Sequence, residues 1–150
     1  MPKRRHVVKM TAEDCWRFIE QSRDLHVATL DADGCPHLTT LWFAVVDGAI
    51  VFESFSKAQK ILNLRRDPRI AVLVADGDDY ANLRGVSIRG RAELVDDPER
   101  VHRLADRIAL RNGNALPEGA RANLAPKRTA VIVRPEKFAS WDHRKLGGTY

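Results

Sequence analysis

Much is scarce in this 150-residue chain, and each scarcity excludes a class of protein. There are two cysteines, Cys15 and Cys35, and they form no C-x-x-C pair. A disulfide framework is therefore excluded, and no Cys/His cluster has the spacing of a structural zinc site. Free thiols suit a reducing compartment, so the expectation is a cytoplasmic protein with no bound metal. Glycine (9) and proline (7) are too few for a collagen-like or low-complexity chain. No apolar run approaches the ~18 residues of a membrane span. The opening Met-Pro-Lys-Arg-Arg-His is basic but has no apolar stretch behind it, so it does not read as a secretory signal. G-x-S-x-G, H-E-x-x-H, G-x-x-x-x-G-K-[ST] and G-x-G-x-x-G are all missing. The five histidines are scattered, and Glu53 has no visible carboxylate partner, so paired-carboxylate hydrolysis has no support.

What remains is an ordinary globular composition. Hydrophobic residues are 44% and charged residues 30%, which excludes disorder for the bulk of the chain. The length fits a basic N-terminal tail over residues 1–10 and one domain over 11–150. The net charge of +5 invites a nucleic-acid reading. The basic tracts are spread over a terminus and predicted helix faces, with no aromatic RNA-binding motif, so no nucleic-acid partner is expected.

The pattern along the chain is mostly β. Thr11 caps a predicted helix over 12–22, with Cys15, Phe18 and Ile19 on one face. Strands are predicted at 25–30 and 37–46, then 49–55 after the Asp47-Gly48 hairpin turn. Ser56 is placed to cap a second helix that Asp67-Pro68 stops. The apolar run 70–75 reads as a strand buried on both faces. A long strand over 83–95 contains Gly90, a bulge signal. Asp97-Pro98 opens a third helix ending near Gly113, followed by a polar loop over 113–127. The last strand is predicted at 129–133, leading through Phe138–Trp141 into a basic tail to Tyr150. The sum is a mainly β fold with peripheral helices, about six antiparallel strands closing into a small barrel that removes its edges.

Two segments could carry chemistry. Ser56-Lys57-x-x-Lys60 puts two lysines at a predicted helix start, where cations are mildly unfavourable. A cap hydroxyl, backbone N–H groups and two ammonium groups suit an anion, phosphate above all; a solvent-facing lysine pair is the plain alternative. On the strand before it, alternation puts Thr40 and Trp42 on one face and Thr39, Leu41 and Phe43 on the other. Such a strand offers hydroxyls and backbone groups to a heteroaromatic edge, or is simply a strand with core aromatics.

In order and wording these segments resemble the FMN-binding split β-barrel superfamily, the pyridoxamine-phosphate-oxidase-like fold. The carriers are His-Val-Ala-Thr-Leu-Asp-Ala-Asp-Gly-Cys-Pro-His (26–37), Thr-Thr-Leu-Trp-Phe (39–43), Ser-Lys-Ala-Gln-Lys-Ile-Leu-Asn-Leu-Arg-Arg-Asp-Pro-Arg (56–69) and Ile-Arg-Gly-Arg-Ala-Glu-Leu-Val (88–95). Trp-Asp-His-Arg-Lys-Leu (141–146) is similar to the branch that uses the deazaflavin coenzyme F420. The resemblance implies a six-stranded antiparallel split β-barrel and a homodimer with two cofactor sites at its interface. It implies a tricyclic ring along Thr39, Thr40 and Leu41, with the phosphate at Ser56, Lys57 and Lys60. It places Trp141 and Lys145 near the cover that the partner chain supplies, and Trp42 at a wall facing a small-molecule substrate. It names no catalytic side chain. The chain ends in Gly-Gly-Thr-Tyr without an Arg-x-His motif, so a vitamin B6 substrate is not implied. The functional expectation is a deazaflavin-dependent reductase. The alternatives are an FMN-dependent flavoprotein and a non-catalytic haem- or cofactor-binding module on the same barrel.

Overall fold

The computed structural model describes residues 3–114 and 117–148; the last two residues of the expected tail, and part of the expected loop, lie outside them. The stretch expected as a frayed tail contains a short helix, α1 (Arg4–Val8), and Val8 and Met10 are buried. The Met10 amide donates to Ser140 Oγ at 3.0 Å, which ties this stretch to the far end of the chain. In α2 (Ala12–Gln21), Thr11 Oγ1 accepts from the Asp14 amide and Cys15, Phe18 and Ile19 face inward.

Seven strands form one antiparallel sheet: β1 (Asp24–Leu30), β2 (Pro36–Trp42), β3 (Ala44–Val46), β4 (Ala49–Phe55), β5 (Arg69–Asp76), β6 (Arg84–Val95) and β7 (Arg128–Asp142). Their order is β2-β1-β5-β6-β7-β4-β3. The two edge strands are consecutive in sequence and joined by Phe43 alone, so the sheet curls until its edges meet at one corner. This is the expected split barrel with one more strand than expected. The predicted strand 37–46 divides because its first part pairs with β1 and its second with β4. One strand cannot follow both partners without a corner, and the fully buried Phe43 makes it. Asp47 and Gly48, at φ of 50° and 75°, close the β3–β4 hairpin as the sequence predicts.

Two apolar cores lie on opposite sides of the sheet. Inside the barrel, Val27, Phe52, Val72, Ile88 and Val131 meet Phe18 and Ile19 of α2, and Ile61 and Leu64 of α3 (Gln59–Arg66). Outside, α4 (Pro98–Arg111) lays Val101 and Ile108 over Val51, Ala130 and Ile132. The strands buried on both faces are therefore β4 and the first half of β7. The apolar run of β5 alternates between buried and half-buried residues, because no helix covers its outer side. That outer face, with Ala28 of β1 in register with Ala71 of β5 and Leu73 beside it, stays open among the described residues.

Two further boundaries differ from the sequence reading. The 113–127 segment holds a helix, α5 (Glu118–Leu124), and a 3₁₀ turn at Ala125–Lys127. The last strand runs on to Asp142, so Trp141 is a strand residue. A register shift between Arg89 and Gly90 is the bulge that Gly90 predicts, and it lets β6 and β7 stay paired around the curl.

Candidate functional site

The site begins at the Phe43 corner, because the corner aims β2. Arg111, the last residue of α4, stacks its guanidinium 4.3 Å from the centre of the Phe43 ring. It donates to the Phe43 carbonyl at 3.2 Å, and to the carbonyls of Ile19, Glu20 and Ser22 just past the core of α2. One cation thus satisfies the end of α2 and the backbone where β2 becomes β3.

From that corner β2 runs out as an edge strand with β1 as its only strand neighbour among the described residues. The predicted alternation holds. Thr39 and Leu41 are half-buried on the inner side, with Leu41 against the barrel core. Leu38, Thr40 and Trp42 are exposed on the outer side. Two buried polar atoms on the inner side have no hydrogen-bond partner: Thr39 Oγ1 and His37 Nδ1. They are two residues apart on one face, about 7 Å along the strand. Buried groups of this kind are normally paired, so an orphaned pair on one edge strand marks a place built to receive something. His37 was not singled out by sequence. Its signal was the period-2 relation to Thr39.

Across β1, α3 packs against the barrel through Asn63, in its second half. Asn63 is fully buried and donates to Thr29 Oγ1 at 3.0 Å and to Asp31 Oδ1 at 2.8 Å. Thr29 is the strand partner of His37. The helix itself starts later than the sequence implies. Its cap residue is Ala58, with no side-chain cap, and Ser56 and Lys57 lie in the preceding turn. Ser56 does not cap because its hydroxyl is engaged with Thr129 Oγ1 at 2.9 Å. Lys60 lies in the first helical turn, half-buried, with Nζ 3.4 Å from Ser54 Oγ. Neither Lys57 nor Lys60 has a carboxylate partner among the described residues. The nearby arginines differ: Arg65 is paired with Asp96 and Arg128 with Glu53. Two unneutralised ammonium groups and the Ser54 hydroxyl make a donor-rich patch that suits an oxyanion.

Burial holds the Lys60 ammonium below the ordinary lysine value of 10.5. Between that lowered value and 10.5 the folded chain binds fewer protons than the unfolded one, so Lys60 alone makes stability rise with pH there. Anion binding uses the charged form and has the opposite trend: affinity is lost as pH rises through the lowered value. Side-chain NMR of Lys60 is expected to show titration below 10.5 in the free protein and an upward shift on adding phosphate. Titration at or above 10.5 in the free protein would contradict this account.

Trp141 and Lys145 do not join this group within one chain. Trp141 stands on β7 opposite Gly85 and lies so close that a Cβ there would sit 2.1 Å from a ring carbon. Lys145 is in the 3₁₀ turn His143–Leu146 and donates to the Lys9 carbonyl at 2.8 Å. Thr129, beside Ser54 and Ser56, is also on β7 but twelve residues before Trp141, about 40 Å along an extended strand. Trp42 has the Arg23 guanidinium 5.4 Å from its ring centre and borders a cavity beneath α4.

The curled seven-stranded antiparallel sheet defines a split-barrel class, and comparison with known proteins gives the family. The family model described as pyridoxamine 5'-phosphate oxidase matches residues 3–142. The chain belongs to that family, within the FMN-binding split β-barrel superfamily. Among solved structures it is similar to a conserved hypothetical protein of Mycobacterium tuberculosis, with 40% identity, TM-score 0.89, and 99% of this chain and 94% of that one covered. It is also similar to a protein named F420 reductase, at 28% identity and TM-score 0.69, covering 87% of this chain and 98% of that one. A FAD-binding protein of Mesorhizobium loti shares the fold at 19% identity and TM-score 0.67, covering 87% and 94%. No curated protein matches.

Proposed function

We propose that the chain is an oxidoreductase that binds the deazaflavin coenzyme F420 and acts, as a homodimer, on a small electron-poor substrate. Two observations support this reading: Lys57 and Lys60 have no carboxylate partner among the described residues, and Thr39 Oγ1 on the edge strand β2 is buried without a hydrogen-bond partner. A phosphorylated tricycle fits that donor set, since its phosphate needs cations and its ring edge needs polar groups. Thr39, Thr40 and Leu41 would hold the ring, and Ser56, Lys57 and Lys60 the phosphate. When bound, a reduced deazaflavin supplies a hydride to an electron-poor carbon. The chain's own work is to fix the cofactor's orientation through β2, to neutralise the phosphate, and to exclude water with Leu41.

A dimer would bring these groups together: within one chain Trp141 packs on Gly85 and Lys145 bonds to Lys9, so a site that also includes Thr39 and Lys60 would draw them from a second copy. The open outer face of β2, β1 and β5, with Leu38 70% exposed, is an apolar surface for that copy. The preference for the deazaflavin over FMN rests on the likeness to the F420 reductase. Titration of the purified chain, read by quenching of deazaflavin fluorescence, is expected to show coenzyme F420 binding at least about tenfold tighter than FMN, a difference of about 1.4 kcal/mol. Tighter FMN binding would overturn the deazaflavin assignment and leave the flavin-type site standing. Binding of neither would overturn both.

A further inference from the structure

The cavity beneath α4 is separate from the anion patch and has its own chemistry. Its volume is about 200 Å³. Helix α4 supplies an apolar wall of Val101, Ala105, Ile108 and Ala109, and Trp42 stands at the side nearest β2. The polar wall is Glu53 and Arg128, which are joined by a 2.6 Å hydrogen-bonded ion pair and are each about one-fifth exposed. Arg128 is further fixed by the Phe55 ring, 4.2 Å from its guanidinium carbon. His102 lines the same space, with Nε2 3.4 Å from Asp106.

We propose that this cavity binds a small, uncharged, largely apolar molecule with one carbonyl or hydroxyl oxygen. The size follows from comparison: a dry apolar cavity of about 150 Å³ takes benzene, so this one takes a ring with a short polar substituent. The absence of ligand charge follows from the ion pair. Glu53 and Arg128 neutralise each other, so a carboxylate ligand meets Glu53 and an ammonium ligand meets Arg128, each at a cost in a partly dry space. A neutral oxygen acceptor meets neither penalty, and Arg128 keeps N–H groups beyond the one given to Glu53. The pair also pre-organises the donor, because the guanidinium is already held between a carboxylate and a ring. This inference stands on the cavity alone and does not depend on the cofactor assigned to the neighbouring site.

The test uses the full chain as purified, with acetophenone as the probe and benzoate and benzylammonium as charged counterparts of similar size. Two-dimensional amide NMR is expected to show acetophenone shifting α4 resonances and the Trp42 indole N–H, with both charged molecules at least about tenfold weaker. Ala105→Phe, which fills the cavity, is expected to weaken acetophenone at least about tenfold while leaving coenzyme F420 affinity unchanged. Should that variant not fold, Ala109→Leu fills the same space from the next turn. No acetophenone binding at millimolar concentration, shifts that map elsewhere, or equal binding of benzoate would each overturn the proposal. Loss of coenzyme F420 binding in wild type would leave it intact.

Discussion

Arg111→Ala is expected to lower the stability of the folded chain by about 3 kcal/mol, a fall in melting temperature of about 10 °C for a domain of this size. The substitution removes one side chain and strands several acceptors. The Phe43, Glu20 and Ser22 carbonyls lose this donor, the Ile19 carbonyl keeps only the Ser22 amide, and the Phe43 ring loses its stacked cation. A hydrogen bond from a charged donor contributes about 1.5–3 kcal/mol, and at this partly exposed position water takes over most of the freed carbonyls, so the net loss is well below the four-bond sum. Stacking over Phe43 adds about 1 kcal/mol. Arg111→Lys keeps the charge but not the planar fork, so it is expected to recover less than half of the loss. Thermal unfolding of the three proteins checks this. A melting temperature for Arg111→Ala within about 2 °C of wild type would mean that water replaces the guanidinium at all of these carbonyls, and the account of the corner would fall.

The same corner shows why part of the fold was legible in the sequence and part was not. Local signals were legible. The Thr11 cap, the Asp47-Gly48 turn and the Asp97-Pro98 helix start each depend on a few adjacent residues, and each stands as expected. Period-2 alternation on β2 also held, because it reflects only which side of one strand faces the core. Signals that depend on distant partners failed. Nothing between His37 and Val46 announces that the strand changes neighbours at Phe43; the reason lies in Arg111 and in the opposite edges of the sheet. The apolar run 70–75 and the run in β4 look alike, yet only β4 lies under α4 and is buried on both faces. Ser56 is a good cap residue by type, but Thr129, 73 positions away, takes its hydroxyl.

The candidate site divides along the same line. Lysines at a helix start are visible in sequence because they are locally unfavourable. Their lack of carboxylate partners is a tertiary fact. So are the orphaned atoms of His37 and Thr39, which matter because β2 is an edge and α3 lies across β1. The likeness to a known barrel family supplied the order of parts, and the structure adds that α3 reaches β1, the neighbour of the edge strand, through Asn63.

The double substitution Lys57→Ala with Lys60→Ala is expected to weaken coenzyme F420 binding by about 100-fold or more. In the proposed site each lysine would contribute a charge-assisted contact to the phosphate worth about 1.5–3 kcal/mol, and two at the low end give about 3 kcal/mol. The shares are unequal. Lys57 is exposed and works through water and salt, so its single substitution is the smaller and fades as salt rises. Lys60 is half-buried beside Ser54, where its charge is less screened, so its single substitution is the larger. Folding should not suffer, because burying the Lys60 ammonium is itself unfavourable and Lys60→Ala removes that cost. Melting temperatures at or above wild type therefore accompany the lost affinity and separate it from unfolding. The deazaflavin core without its phosphate serves as the control ligand. Wild type is expected to bind it about 100-fold more weakly than the whole coenzyme, and the double variant to bind both alike. If the double variant keeps wild-type affinity for the whole coenzyme, the phosphate lies elsewhere, and the role assigned to the head of α3 is wrong.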